Sequence, residues 1–273
     1  MGERFSQKGL SMSRRLSLGD KRLSFGLVQV RITADVTATK KRVFELLEKI
    51  RRKKPSAVVL PEMWLGGPKS RRDRRRWTRL YRNATAELSH WCAENRIGVF
   101  FSAVEEEGGR FFNTAFFVGR DGRIIGKQRK IHLFSLEGET KLYSRGNRIG
   151  LIRTPFGEVG CLVCYDIRFP EVARELAFRG MKILVVCAQW PEARRDHWFA
   201  LLKARAIENQ CFVVAANRLG RKGRIAYSGD SVAFSPWGEE LLRLSRADSI
   251  GIVRLDLGFL KFLRKSYPFL AEA

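Results

Sequence analysis

Three side chains capable of covalent or proton chemistry each stand at the end of a short run that reads as a strand. The clearest is in Glu158 to Glu171, which reads EVGCLVCYDIRFPE. Val159 to Cys164 is uncharged and rich in β-branched residues, the pattern of a strand buried on both faces. It breaks into Tyr165, Asp166 and Arg168, and Pro170 then suits the first position of a helix over Pro170 to Phe178. A cysteine at the end of a buried strand, facing a turn and a helix start, is held rigidly with its sulfur toward a cleft, where a nucleophile is useful. The ordinary alternative is core packing, because free cysteine is among the most buried residue types. Cys161, three positions earlier, points to the other face of a strand, and no second C-x-x-C completes a zinc site. Cys161 therefore reads as core, and Cys164 needs partners from elsewhere.

Two partners have the same setting. Glu62 follows the apolar run Ala57 to Leu60, where a carboxylate can serve as a general base. Its ordinary alternative is a solvated loop glutamate. Lys130 closes a strand over Ile124 to Lys130; an ammonium there can balance a thiolate or hold an oxyanion, although a lysine in a basic chain is commonly a surface charge. His132 is a weaker candidate for pairing with a thiol, since one histidine in an apolar run is more often structural. Glu137 and Glu139 follow in the next loop.

Composition bounds the rest. The chain has 273 residues, 45% of them hydrophobic, enough for one large domain or two small ones. Five cysteines, an odd number at low density, fit a reducing compartment and a cytoplasmic location better than a disulfide scaffold. No run approaches the roughly 18 apolar residues of a membrane helix. The net charge of +24 raises nucleic acid or another anionic surface as a partner. Lys69 to Arg79 concentrates that charge, with seven basic residues and one acid, yet carries no interleaved aromatics to stack bases. Nucleic-acid binding is the competing function but is not favoured.

Residues 1–22 are basic, Ser-rich and lack an apolar core, and read as a disordered extension; a transit peptide is the alternative, and Met12 a second possible start. Residues 23–273 read as one domain. Strands are expected at Leu23–Val30, Ala57–Leu60, Ile97–Val104, Phe111–Val118, Ile124–Lys130, Val159–Cys164, Ile183–Cys187, Cys211–Ala216 and Ile250–Leu255. Tyr227 to Leu244 reads as a hairpin turning at Pro236-Trp237-Gly238, and a basic tail follows the last strand. Helices fall over Thr37–Arg52, from the arginine run through Trp91, over Pro170–Phe178, and from Trp198 to Ile207. This alternation argues for a layered α/β fold.

Taken together, PEMW at Pro61–Trp64, KIHLF at Lys130–Phe134 and CYDIRFPE at Cys164–Glu171 resemble the nitrilase (carbon–nitrogen hydrolase) superfamily in order and spacing. QWPEAR (Gln189–Arg194), KARAIENQ (Lys203–Gln210), ANR (Ala216–Arg218) and SGDS (Ser228–Ser231) extend the resemblance, which covers about Leu23 to Phe269. HLF, the Gly138-Glu139 pair, WPEAR and Tyr267-Pro268 are similar to the omega-amidase-like branch. The resemblance implies a four-layer αββα sandwich, a Glu62–Lys130–Cys164 triad, and an additional active-site glutamate assigned to Glu139, with Glu137 as the alternative. It further implies an oxyanion contact from the backbone N–H of Tyr165, substrate contacts from Arg168 and Trp190, and a homodimer. Arg168 has a structural alternative, an ion pair with Asp166 or Glu171. The chain departs from the family after PEMW: Gly66-Gly67-Pro68 leads straight into the arginine run, in a loop that borders the substrate pocket of relatives.

The function expected is hydrolysis of a small non-peptide amide to ammonia and a carboxylic acid through a thioester, with an omega-amide of a dicarboxylate as substrate. An N-carbamoyl amidase is the alternative within the superfamily. This chemistry requires no metal and no organic cofactor.

Overall fold

The computed structural model describes residues 22–273. The extension expected over residues 1–22 lies outside them, Arg22 excepted. Uncharged, β-branched segments form the central strands of two sheets, since only a strand covered on both faces can be apolar throughout. The first sheet contains β1 (Arg22–Gln29), β2 (Ala57–Val59), β3 (Gly98–Glu107), β4 (Arg110–Val118), β5 (Ile124–Arg129) and β14 (Ser249–Asp256), in the order β14-β1-β2-β3-β4-β5. The second contains β6 (Ile152–Thr154), β7 (Gly157–Val163), β8 (Ile183–Ala188), β9 (Phe212–Asn217), β12 (Val232–Phe234) and β13 (Glu240–Arg243), in the order β13-β12-β9-β8-β7-β6.

Each sheet is built the same way. Its three middle strands are parallel, β1-β2-β3 in one and β7-β8-β9 in the other. Antiparallel strands flank them. Parallel neighbours require crossovers, and helices supply them. In the first sheet these are α1 (Val36–Arg51) and α2 (Arg74–Asn95); in the second, α4 (Pro170–Phe178) and α5 (Arg195–Glu208). Between the two halves lies the one-turn helix α3 (Glu139–Leu142). Val43, Leu47, Ile50, Tyr81 and Leu88 seat α1 and α2 on the outer face of the first sheet. The inner faces meet through Phe25, Leu27, Phe100 and Phe117 on one side and strands β7 to β9 on the other, in a single apolar cluster. The layers are therefore helix, sheet, sheet, helix.

Several segments differ from the sequence expectation: β6 falls where no strand was expected, and α3 occupies part of the expected loop after Phe134. Tyr227 does not join the later hairpin: β10 (Leu219–Lys222) and β11 (Ile225–Ser228) form a separate two-stranded ribbon turning at Gly223. The basic tail is helical over α6 (Leu257–Ser266), with Asp256 accepting from the Phe259 N–H as its N-cap and Phe259, Leu260 and Leu263 buried. No helix among the described residues is long and apolar enough to cross a membrane.

Candidate active site

In sheets with parallel strands, ligands collect at the carboxyl ends, where loops diverge. Glu62 and Cys164 lie just past those ends, on β2 and β7, one from each sheet. Glu62 is 4% exposed, and its backbone N–H donates to Ala188 O at the end of β8, 3.3 Å away, tying the loop to the opposite sheet. Met63 follows in left-handed backbone at φ 45°, held by a bond from its N–H to Ser102 Oγ at 2.8 Å. Cys164 opens a 3-10 turn, Cys164–Arg168, and is itself left-handed at φ 47°. Strain of this kind in a non-glycine residue persists only where surroundings over-determine it.

Those surroundings are visible. Asp166, 1% exposed, accepts from the Val163 N–H at 3.2 Å and the His132 N–H at 2.8 Å. The His132 ring stacks on Phe169 at 3.6 Å. His132 thus braces the turn and is structural, as its apolar setting indicated. From α5, the buried Arg205 donates to Ile167 O through two nitrogens, at 3.1 and 2.8 Å.

Lys130 Nζ is 2% exposed and lies 2.9 Å from Glu62 Oε1 and 2.8 Å from Glu139 Oε1. Burial by itself would lower its pKa, but the charges of Glu139 and Glu62 outweigh burial and hold it well above the ordinary lysine value. Lys130 is therefore an ammonium. The Cys164 thiol shifts upward as well, through burial first and the Glu62 charge second, with Lys130 opposing. It rests protonated and needs a base to become a nucleophile.

Glu139 opens α3, where Phe134 N–H donates to its Oε2 at 2.7 Å. Glu137 is apart from Lys130 and lies 3.9 Å from Lys222. Asn113 on β4, 1% exposed, donates to Glu62 Oε1 at 2.7 Å and to Glu139 Oε1 at 3.4 Å. Gln189 donates its backbone N–H to Glu62 Oε2 at 3.0 Å. Sequence reasoning passed over Asn113, because an isolated amide in a strand has no spacing to mark it; Gln189 opens the QWPEAR motif, but no role had been attached to it. For Arg205 a signal existed: it sits within the KARAIENQ motif, to which no role had been attached.

Glu62, Lys130, Glu139, Cys164 and Tyr165 line one cavity of about 510 Å³, together with Arg168 and Trp190. Arg168 does not form the ion pair with Asp166 or Glu171 that was its structural alternative. Its guanidinium lies 4.7 Å over the Trp190 ring, and one nitrogen is 3.3 Å from His197 Nδ1. Trp190 is 3% exposed, fixed by its N–H to Asn217 Oδ1 at 2.7 Å and its indole N–H to Arg194 O at 2.7 Å.

The doubled α/β layers, with carboxylates, an ammonium and a thiol gathered between the two sheets, place the chain among the nitrilase-type α-β-β-α folds. A carbon–nitrogen hydrolase from Helicobacter pylori G27 superposes with a TM-score of 0.87 over 93% of this chain and 96% of its own, at 24% identity. The chain belongs to the carbon-nitrogen hydrolase family, whose match spans residues 25–265. It is similar to a 2-oxoglutaramate amidase of Bacillus subtilis (strain 168), 34% identical over 79% of this chain and 84% of that protein. It is also similar to an omega-amidase of Mus musculus, 32% identical over 69% of this chain and 72% of that protein.

Proposed function

We propose that the chain is a cysteine-dependent amidase that hydrolyses small linear amides bearing a free carboxylate, in the manner of an omega-amidase. The observation that carries this reading is the pair of short contacts from buried Lys130 to Glu62 and Glu139, in the cavity that Cys164 also lines. Glu62 takes the Cys164 proton as sulfur attacks the amide carbonyl and the C–S bond forms. Lys130, kept protonated, and the Tyr165 N–H then face the oxyanion, a contact worth about 3 kcal/mol per donor. Collapse breaks the C–N bond, and protonated Glu62 hands its proton to the departing ammonia. Water, deprotonated by Glu62, attacks the thioester; the C–S bond breaks and the thiol is restored. Glu139 holds Lys130 and orients the water. Splitting one hard displacement into two easier ones is what a covalent intermediate supplies.

Arg168 supports the carboxylate preference. Its planar fork opens into the cavity with no carboxylate partner among the described residues, and can bind a substrate carboxylate bidentately. What supports a homodimer is an exposed apolar patch, where Ile207, Trp237 and Phe269 are each at least 42% exposed and the tilted Tyr267 ring lies 5.3 and 5.9 Å from the last two.

The test is ammonia release from a panel of amides by the parent protein and Cys164→Ala. The parent should prefer omega-amides of dicarboxylates, the variant should be folded and inactive, and mass spectrometry with a slow substrate should find an acyl group on Cys164. Undiminished turnover in the variant, or an adduct on Cys161, would rule the assignment out.

A further inference from the structure

The cavity carries more positive charge than this chemistry uses. Eight cationic side chains line it against four carboxylates. Lys130 is matched by Glu62 and Glu139. Arg218 is already engaged, donating to the carbonyl oxygens of Leu219 and Ile32 and to the Gln189 side chain. Arg168 and Arg194 are half-buried over the Trp190 and Phe134 rings.

The remaining four cations are exposed and form the rim. Lys69 and Arg76 come from the loop after Glu62 and the first turn of α2, Arg221 and Lys222 from the β10–β11 ribbon. Two carboxylates share this rim, and both are engaged. Asp73 accepts from the Ser70 N–H at 3.1 Å and hydroxyl at 2.9 Å, and Glu137 lies 3.9 Å from Lys222. Lys69, Arg76 and Arg221 have no carboxylate within ion-pair distance among the described residues; Arg221 makes only a 3.4 Å bond to Arg224 O. Unmatched cations around a low-dielectric mouth focus an attractive field on anions, and guanidinium forks hold a carboxylate or phosphate through paired bonds. The room is there too: at about 510 Å³ the cavity falls in the range of sites for drug-sized ligands, well beyond what a five-carbon amide fills.

We propose that Arg76 and Arg221, with Lys69, form a second anion subsite that takes a further carboxylate or phosphate group at the end of the substrate remote from the scissile amide. The physiological substrate class is then an extended amide with at least two anionic groups. This rests on the amidase reading above, and its test separates the two.

Three glutamine derivatives of matched length serve as probes: N-butanoyl-glutamine, N-succinyl-glutamine and the corresponding phosphonate. They share the side-chain amide and the α-carboxylate and differ only in the distal group. Equilibrium binding to Cys164→Ala reads the subsite without turnover, and kcat/KM of the parent protein reads it with turnover. The distal anion should improve binding by about tenfold or more, the scale of one hydrogen bond to a charged group. In an Arg76→Gln/Arg221→Gln variant, both exposed positions, that advantage should collapse toward one. A carboxylate advantage without a phosphonate advantage, or the reverse, identifies which anion the rim selects. Equal binding of all three probes to Cys164→Ala, or an advantage that survives the double substitution, overturns the subsite. Selective binding without any hydrolysis by the parent would leave the subsite standing and reject the amidase reading instead.

Discussion

Glu62 receives three hydrogen bonds, from Lys130, Asn113 and the Gln189 N–H, so its carboxylate is oriented before any substrate arrives. That arrangement suits a group that must accept a proton at one stage and return it at another. Glu62→Gln keeps the shape and the contacts but cannot take a proton, so acylation and deacylation should both slow. The loss in kcat should be at least about 10²-fold, the usual scale of general base catalysis. Presteady-state ammonia release and thioester decay, measured separately, check this, and a normal rate in either step removes Glu62 from that step. Glu62, Lys130 and Cys164 stood out in the sequence as chemistry-capable groups at the ends of expected strands, and one cavity gathers them. What orients them did not stand out. Asn113 lies in the middle of β4 and its pairing with two glutamates depends on long-range packing, which a one-dimensional pattern does not record.

Among the elements, the arginine run after Glu62 acquires a structural explanation. Arg71 and Arg74 donate to the carbonyl oxygens of Lys141 and Leu142, at 3.0 and 3.4 Å, and so cap the end of α3, the helix that begins with Glu139. From composition alone that run looked like either a phosphate patch or a solvated helix start; part of it is neither. The strands carry a second charged device. Glu105 on β3 accepts from Arg129 and Lys127 on β5 and from Thr114 on β4, joining three strands. Burial would raise the Glu105 pKa, but those hydrogen bonds win and hold it down to about 2. A carboxyl whose pKa is depressed on folding contributes stability above its unfolded pKa, here near 4.5, and loses it as the pH falls toward 2. Allowing for partial solvent screening, the contribution at neutral pH is about 2 kcal/mol. Glu105→Gln should therefore lower Tm by roughly 4–8 °C at neutral pH. The gap to the parent should close on acidification through that window; a gap independent of pH would mean that the loss is one of packing rather than charge. The positions of the long strands and both bounds of α4 were legible because periodicity and Pro170 mark them, although β3 runs on to Glu107 through three glutamates that carry no apolar signal. The β10–β11 ribbon was not, because four-residue strands with two exposed cations lack an apolar pattern, and α6 was hidden by a tail whose basic residues obscured Phe259, Leu260 and Leu263.

At the scale of the whole molecule the charge of +24 is the feature that amide chemistry does not demand. Sequence reading framed it as a choice between an enzyme and a polyanion binder. The cavity joins the two, since its lining is itself cationic on balance. A chain this basic around such a mouth should draw anionic substrates toward it, raising their encounter rate rather than the rate of the chemical step. The range of that attraction follows the Debye length, about 30 Å at 0.01 M salt and about 3 Å at 1 M. Raising salt across that interval should therefore lower kcat/KM for an omega-amide carboxylate by several-fold while kcat changes little. A neutral amide of the same length provides the control and should be nearly insensitive. The comparison is informative only below saturation, where encounter contributes to the rate. Parallel salt responses for the two amides would show that the net charge does not act through the cavity, and would return the exposed arginines of α2 to a partner other than substrate.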